Sequence, residues 1–207
     1  FASPLLQKPL ALGADVVMHS ATKYLNGHAD VTAGVLSCTD KTVREELWTR
    51  RRNLGAILDP HAAYLVGRGM KTLALRMERH CSNALALAKE CEGMPGVAAV
   101  HYPALSGHAD HVTARKVLTG GFGGMLTLDL GSKARAQAFR RKAKIILPAA
   151  SLGGVESLVS LPLETSHAYA SADKRRADGI TDGLVRISVG IEDVADLSAD
   201  LRQAIRP

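Results

Sequence analysis

Residues 20–28 are Ser20-Ala21-Thr22-Lys23-Tyr24-Leu25-Asn26-Gly27-His28, and they determine how the rest of the chain is interpreted. They follow a short apolar run, residues 16–18, which predicts a buried strand of a parallel sheet. The chain has to turn after this strand, where the hydroxyl and N–H groups of Ser20 and Thr22 can bind an anion. The Lys23 amine can form a Schiff base with a carbonyl compound once it has lost its proton. On spacing alone, however, a surface lysine after a strand is the more frequent meaning.

Strand and helix patterns alternate along the chain. Helical patterns cover residues 42–52 and 59–91, and Gly67 and Gly69 are expected to break or bend the second of them. Asp193 is a typical N-cap for the last helix. Strands are predicted at residues 97–102, 125–130, 144–147 and 184–189, and helices at residues 109–118, 133–142 and 194–205. This alternation indicates an α/β or α+β fold.

The composition is that of an ordinary folded protein. The 207 residues are 46% hydrophobic and 22% charged, which supplies enough apolar material for a sizeable core. No apolar run approaches the roughly 20 residues of a membrane span, and residues 1–4 do not resemble a signal peptide. The three cysteines, Cys38, Cys81 and Cys91, form no CxxC motif and predict reduced thiols in a cytoplasmic protein.

The chain is basic, with a formal net charge of +6 and basic clusters at residues 50–52 and 140–142. A basic face can attract nucleic acid. Aromatic residues make up only 4% of the chain, however, which leaves little to stack on bases. A solvated basic face, or attraction of an anionic substrate and cofactor, is the better interpretation. We therefore expect neither a nucleic-acid nor a membrane partner.

Arg186 lies within a strongly apolar predicted strand. Alternation places Val185, Ile187 and Val189 on one face of this strand and puts Arg186 on the other. An arginine in such a strand is either at the edge of a sheet or facing a pocket, where its planar fork suits a carboxylate. A structural ion pair with a neighbouring acid is an equally good interpretation from the strand alone.

Three further motifs have structural interpretations. Residues 120–124, Gly-Gly-Phe-Gly-Gly, lack the Lys-Ser/Thr ending of a phosphate loop and are expected to be a close-packed entrance to a strand. His101, His108 and His111 have no carboxylate or thiolate at ligand spacing, so we expect solvated histidines and no metal site. Residues 151–154, Ser-Leu-Gly-Gly, would by themselves be an ordinary glycine-containing turn.

Longer sequence segments that contain these motifs all resemble one protein family. In chain order they are residues 1–10, 13–15, 20–28, 53–56, 68–77, 121–125, 151–158, 179–186 and 188–193, together with Asp30. Over nearly the whole chain they resemble the Cys/Met-metabolism family of pyridoxal phosphate (PLP) enzymes, the cystathionine synthase and lyase group.

The resemblance implies a role for each matching site residue. Lys23 would be the catalytic residue, holding the cofactor through a Schiff base and then moving protons between substrate carbons. Ser20 and Thr22 would bind the cofactor phosphate. Ser151 and Leu152 would line the substrate side of the pocket, and Arg186 would bind the α-carboxylate of the substrate. Residues 26–28, Glu156, Glu192 and Asp193 also match family strings, and we interpret them as turn and supporting residues.

The resemblance also implies the fold. It is the C-terminal portion of the α/β PLP-dependent transferase fold type I, with the end of the large cofactor domain at residues 1–70 and a small α+β C-terminal domain at residues 71–207. Family chains are longer, and the acidic partner of the pyridine nitrogen and the ring that stacks on the cofactor should precede residue 1. We therefore expect this sequence to be the C-terminal part of a longer or cleaved chain.

The expected function is a lyase or transferase of sulfur amino-acid metabolism. It would perform elimination or replacement at the β- or γ-carbon of cystathionine, homocysteine- or methionine-type compounds or O-acylated homoserine, within a homotetramer. Ala150 occupies a position where many relatives carry Glu or another larger residue, which leaves the preferred side chain open, as well as elimination versus replacement. The alternatives are a non-catalytic binding or assembly module and, less well supported, a nucleic-acid binder.

Overall fold

The computed structural model describes residues 1–206 as helices packed around two separate sheets. The strands are β1 (Val16–Ser20), β2 (Gly34–Cys38), β3 (Ala99–His101), β4 (Met125–Asp129), β5 (Leu147–Pro148), β6 (Leu158–Ser160) and β7 (Leu184–Ser188). The α-helices are α1 (Lys41–Leu54), α2 (Pro60–Met70), α3 (Leu73–Cys91), α4 (His111–Val117), α5 (Lys133–Lys142), α6 (Ala172–Ala177) and α7 (Val194–Ile205). Short 3₁₀ turns cover Pro9–Leu12 and Pro162–Glu164. Within these residues, no helix combines the length and apolar character needed to cross a membrane.

The small sheet corrects the prediction of a buried parallel strand at residues 16–18. β1 pairs with β2 in antiparallel register, from Val16 opposite Cys38 to Ser20 opposite Gly34. Val17 alone in β1 is buried, because successive side chains of a strand point to opposite faces. The apolar run identified the strand correctly, but it did not identify the partner.

The larger sheet has the strand order β3-β4-β7-β6-β5, and its pairings are antiparallel except for β5 with β6. β7 is therefore an interior strand, hydrogen bonded to β4 on one side and β6 on the other. Helices α3, α5 and α7 cover one face and share a core with Val185 and Ile187 of β7. The alternation predicted for this strand is confirmed, and it leaves Arg186 on the face away from that core.

The long helical stretch is divided after its glycines rather than at them. Gly67 and Gly69 lie inside α2, and the break falls at Lys71 and Thr72. Gly69 is needed for a different reason, because a β-carbon there would overlap the carbonyl oxygen of Asn26. The glycine thus allows close contact with the segment that follows Lys23, and the expected break at the glycines is wrong.

The predicted strand at residues 144–147 is also largely wrong. β5 begins only at Leu147. The amides of Lys144, Ile145 and Ile146 instead donate to the carboxylate of Asp200 in α7, at 2.8, 2.9 and 3.0 Å. Burial alone would raise the pKa of Asp200, but these three amides and the Gln203 side chain outweigh it and hold the pKa below its ordinary value.

Replacing Asp200 with alanine is expected to lower the free energy of unfolding at pH 7 by about 3 kcal/mol, because three amides, one buried and two partly buried, lose their acceptor. Since the carboxyl pKa is lower in the folded than in the unfolded chain, this stabilisation is fully present above the unfolded value of about 3.9. It is lost as the pH falls through the folded pKa. Denaturant unfolding at pH 7 measures the loss of stability, and unfolding at acid pH measures how the difference between wild type and variant disappears. Asp196→Ala, an exposed change on the same helix, is the control. An Asp200→Ala effect no larger than the control's would contradict this role.

Candidate active site

Lys23 lies in an irregular turn directly after β1. The turn, Ala21–Leu25, is a single π-helical turn closed by the Asn26 amide, which donates to the Ala21 carbonyl at 3.1 Å. Within it, Lys23 has φ −98° and ψ −132°, which is not helical. Such single π turns occur frequently at functional sites. The lysine therefore belongs to a defined turn and is only half-buried within it.

The hydroxyl of Thr22 holds this turn against the start of the segment that leads into β2. It donates to the Ala33 carbonyl at 3.3 Å and accepts from the Ala33 amide at 3.0 Å. The amides of Ala21 and Thr22 also donate to the Ala33 carbonyl, at 2.8 and 3.3 Å. Ser20 is exposed, and its side chain does not cap the turn. The phosphate role of Ser20 and Thr22 stays a prediction, and for Thr22 it requires giving up the long bond to the Ala33 carbonyl.

Ser151 brings Lys23 and Arg186 together. The Lys23 amine, Nζ, lies 3.2 Å from Ser151 Oγ, across 128 residues of sequence. Arg186 Nη2 donates to the carbonyl oxygens of Ala150 and Ser151 at 3.1 and 3.4 Å. A lysine amine, a serine hydroxyl and a guanidinium from three distant parts of the chain thus meet at one place.

Arg186 has the surroundings of a residue that faces a pocket. It is the half-buried position of an otherwise buried interior strand, so the sheet-edge alternative does not apply. Burial lowers the pKa of its guanidinium, and an anionic partner would offset that cost. The ion pairs within residues 1–206 do not include Arg186, so the alternative of a structural ion pair finds no acid there.

The loop after Ser151 packs directly on the Lys23 turn. The Leu152 side chain is 9% exposed and lies in a small core with Tyr24, Leu73 and Met77, so it contributes to packing. Gly153 has φ +79°, and a β-carbon there would come within 2.7 Å of the Tyr24 amide nitrogen. Only glycine fits this position, because it tolerates positive φ and has no β-carbon. A substrate contact from Leu152 stays a prediction.

The remaining sequence motifs lie elsewhere. Residues 120–124 lead into β4 and are closely packed, as predicted: a β-carbon at Gly124 would lie 3.0 Å from the Tyr24 hydroxyl. Residues 1–206 contain no group of three or more His, Cys, Asp or Glu side chains placed to hold a metal ion. The histidines are not all solvated, however. His111 is half-buried: its Nδ1 lies 2.9 Å from the Pro103 carbonyl, and its ring stacks on Phe122.

Sequence reasoning missed Arg76, which is 3% exposed. Its guanidinium donates to the carbonyl oxygens of Tyr24 at 2.8 Å and Leu25 at 3.3 Å, directly after Lys23. The available signal was a charged residue on the same helix face as Leu73 and Met77, where an apolar stripe predicts only apolar side chains.

These residues fit PLP by their chemistry. The cofactor carries an aldehyde, for which Lys23 offers a primary amine beside a hydroxyl 3.2 Å away. An amino acid that reacts with this cofactor carries a carboxylate, for which Arg186 offers a guanidinium that contacts the Ser151 carbonyl.

The set of residues and the fold define a class of protein: the chain belongs to the Cys/Met metabolism PLP-dependent enzyme family, whose sequence pattern matches residues 1–206. Among its relatives, cystathionine gamma-lyase of Bacillus subtilis (strain 168) is 47% identical over 205 residues, covering 99% of this chain and 54% of that protein. Cystathionine gamma-synthase of Mycobacterium tuberculosis is 46% identical over 206 residues, covering 99% of this chain and 52% of that protein. The chain therefore spans about half the length of the curated relatives it matches.

A solved structure has the same fold. The crystal structure of cystathionine gamma synthase from Xanthomonas oryzae pv. oryzae in complex with cystathionine superposes with a TM-score of 0.94 at 42% identity, covering 99% of this chain and 53% of that chain. The predicted family and the predicted fold, the C-terminal portion of PLP-dependent transferase fold type I, are confirmed.

Proposed function

We propose that the whole protein is a PLP-dependent C–S lyase or γ-synthase of sulfur amino-acid metabolism. Its substrates would be cystathionine, homocysteine- or methionine-type amino acids, or O-acylated homoserine. The observation that carries the proposal is a pair of contacts at Ser151. Its hydroxyl contacts the Lys23 amine, and its carbonyl accepts from Arg186. The names of the relatives, cystathionine gamma-lyase, beta-lyase and gamma-synthase, support this substrate class.

In this proposal Arg186 binds the substrate and Lys23 transfers the proton. Arg186 binds the α-carboxylate of the amino acid, because its fork can give two parallel charged hydrogen bonds. This fixes the α-carbon close to Lys23, whose amine removes the α-proton and returns it to another substrate carbon. Ser151 orients that amine through the 3.2 Å contact. The cofactor, when bound, supplies a ring that accepts the electrons left on the α-carbon.

The assembly we propose is a cytoplasmic homotetramer that also contains the preceding part of the chain. Residues 1–70 would complete the large cofactor domain, and residues 71–207 would form the small domain. Exposed apolar side chains on the first 75 residues support the proposal that other protein surface covers them in the assembly, because a folded protein rarely leaves so many large apolar side chains exposed to water. They include Met18, Leu36, Trp48, Leu54 and Leu75, which are 55–81% exposed. Three unpaired cysteines are consistent with a reducing compartment.

The test uses the complete protein purified with PLP. Borohydride reduction followed by peptide mapping should place the cofactor label on Lys23. Incubation with cystathionine, and separately with O-acylated homoserine plus cysteine, should give products of C–S cleavage or formation. A label on a different lysine would overturn the site. A correctly labelled protein that leaves every one of these amino acids unchanged would favour a non-catalytic module.

A further inference from the structure

Helix α3 buries polar side chains on the face that should be apolar. Arg76, His80 and Asn83 follow at i, i+4 and i+7, so they share one face. They are 3%, 0% and 2% exposed. Burying polar or charged groups is costly unless their hydrogen bonds are satisfied. Each of the three side chains hydrogen bonds to backbone carbonyls, and those carbonyls lie beside the two ends of the candidate site.

Arg76 supplies hydrogen-bond donors to the carbonyl oxygens at the end of the Lys23 turn. Besides the Tyr24 and Leu25 carbonyls, its Nη2 donates to Gly69 at 2.9 Å and its Nε to the Thr72 hydroxyl at 3.0 Å. The ion pairs within residues 1–206 do not include this guanidinium. The last carbonyls of a single turn have no continuing helix to bond, and here a buried cation takes that place.

The fit around the guanidinium is close. Gly27 has φ +76°, and a β-carbon there would overlap Arg76 Nη1. The Gly69 carbonyl accepts from Arg76, while its α-carbon lies against Asn26. A side chain at residue 27 or 69 would therefore push the guanidinium or the turn out of place.

The other two side chains of the stripe hold the segment after β7. His80 Nδ1 lies 2.7 Å from the Val189 carbonyl, which can only accept, so the proton is on Nδ1. Burial lowers the pKa of His80 and keeps the ring neutral. Asn83 donates to the carbonyls of Gly190 and Glu192 at 3.2 and 2.9 Å. This segment continues directly from the strand that carries Arg186.

We infer that Arg76 is a positioning residue for Lys23, and that the polar face of α3 sets the placement of Lys23 relative to Arg186. The inference rests on the proposed function. Seven helical residues rise about 10 Å, and along this length one rigid helix fixes the carbonyls after Lys23 and those after β7. Arg76 acts through the backbone of the Lys23 turn, so its loss shifts the amine while Arg186 still binds the carboxylate.

The test compares Arg76→Met and Arg76→Lys with Lys89→Met, which changes an exposed cation on the same helix, in the complete PLP-loaded protein. Arg76→Met should lower kcat about 10²-fold, the cost of a 1 Å misplacement, and leave KM near wild type. It should also move the pH midpoint at which the visible absorbance of the Lys23-bound cofactor changes. Arg76→Lys should give a smaller change in the same direction, because one ammonium cannot reproduce the planar fork. Lys89→Met should match wild type.

A merely structural role would lower the melting temperature and leave both the absorbance midpoint and the kcat of the folded protein unchanged. That result in either Arg76 variant overturns the inference. If Arg76→Met does not fold, the same two measurements on Arg76→Lys and Thr72→Val test the inference. Both variants retain a charge at residue 76, and Thr72→Val removes the hydroxyl that accepts from Arg76 Nε. If wild type itself carries no cofactor on Lys23, the proposed function fails instead, which is a separate outcome.

Discussion

Replacing Lys23 with alanine in the complete protein is expected to lower kcat by 10²–10⁴-fold or more, the range for losing a positioned acid–base group. The proposed covalent attachment point for the cofactor is lost in the same change, so borohydride should no longer label the chain at this residue. Steady-state kinetics with cystathionine and peptide mapping measure the two effects.

Two variants separate chemistry from folding. Lys23→Arg keeps the positive charge near Ser151 Oγ but presents no amine that can bond covalently to an aldehyde, so it should be as inactive as Lys23→Ala. Lys116→Ala, an exposed change in α4, should keep wild-type activity. Substantial turnover by Lys23→Ala would show that a different residue moves the proton.

Replacing Arg186 with leucine is expected to lower kcat/KM by roughly 10²-fold, mostly through KM. A hydrogen bond to a charged group contributes about 1.5–3 kcal/mol, and 1.4 kcal/mol corresponds to a factor of ten. Arg186→Lys keeps a cation but loses the fork, so its loss should be smaller. Arg115→Leu, an exposed change in α4, is the matched control.

A substrate analogue without the α-carboxylate identifies the group that Arg186 binds. Wild type should discriminate strongly between the amino acid and the corresponding amine, whereas Arg186→Leu should treat them nearly alike. If the variant keeps the full discrimination, Arg186 does not bind the carboxylate. In that case its bonds to Ala150 and Ser151 would be structural.

The parts of the site that sequence could predict are those set by local pattern or by matching strings. Lys23 and its hydroxyl neighbours stand in one string, and alternation in β7 put Arg186 on the face away from the core. The contact between Lys23 and Ser151 could not be derived from either, because 128 residues separate them and only the folded chain brings them together.

The errors in the fold share a physical origin. Apolar runs report burial and strand propensity but not the partner, so the run at residues 16–18 predicts a parallel sheet although β1 pairs with β2 in antiparallel register. Ile145 and Ile146 have the same apolar character, yet their amides and that of Lys144 bond to Asp200, which comes 54–56 residues later. A side-chain acceptor that replaces a neighbouring strand leaves no trace in local sequence.

Arg186 is tied to its neighbouring loop through backbone oxygens alone, and this has an evolutionary consequence. The Ala150 carbonyl makes the contact, while its side chain is exposed and takes no part in it. A change of side chain at residue 150 therefore leaves in place the backbone oxygen that accepts from Arg186. If Arg186 binds the substrate carboxylate as proposed, that binding and the side chain at residue 150 can evolve independently of each other, which suits a family whose members include both lyases and synthases.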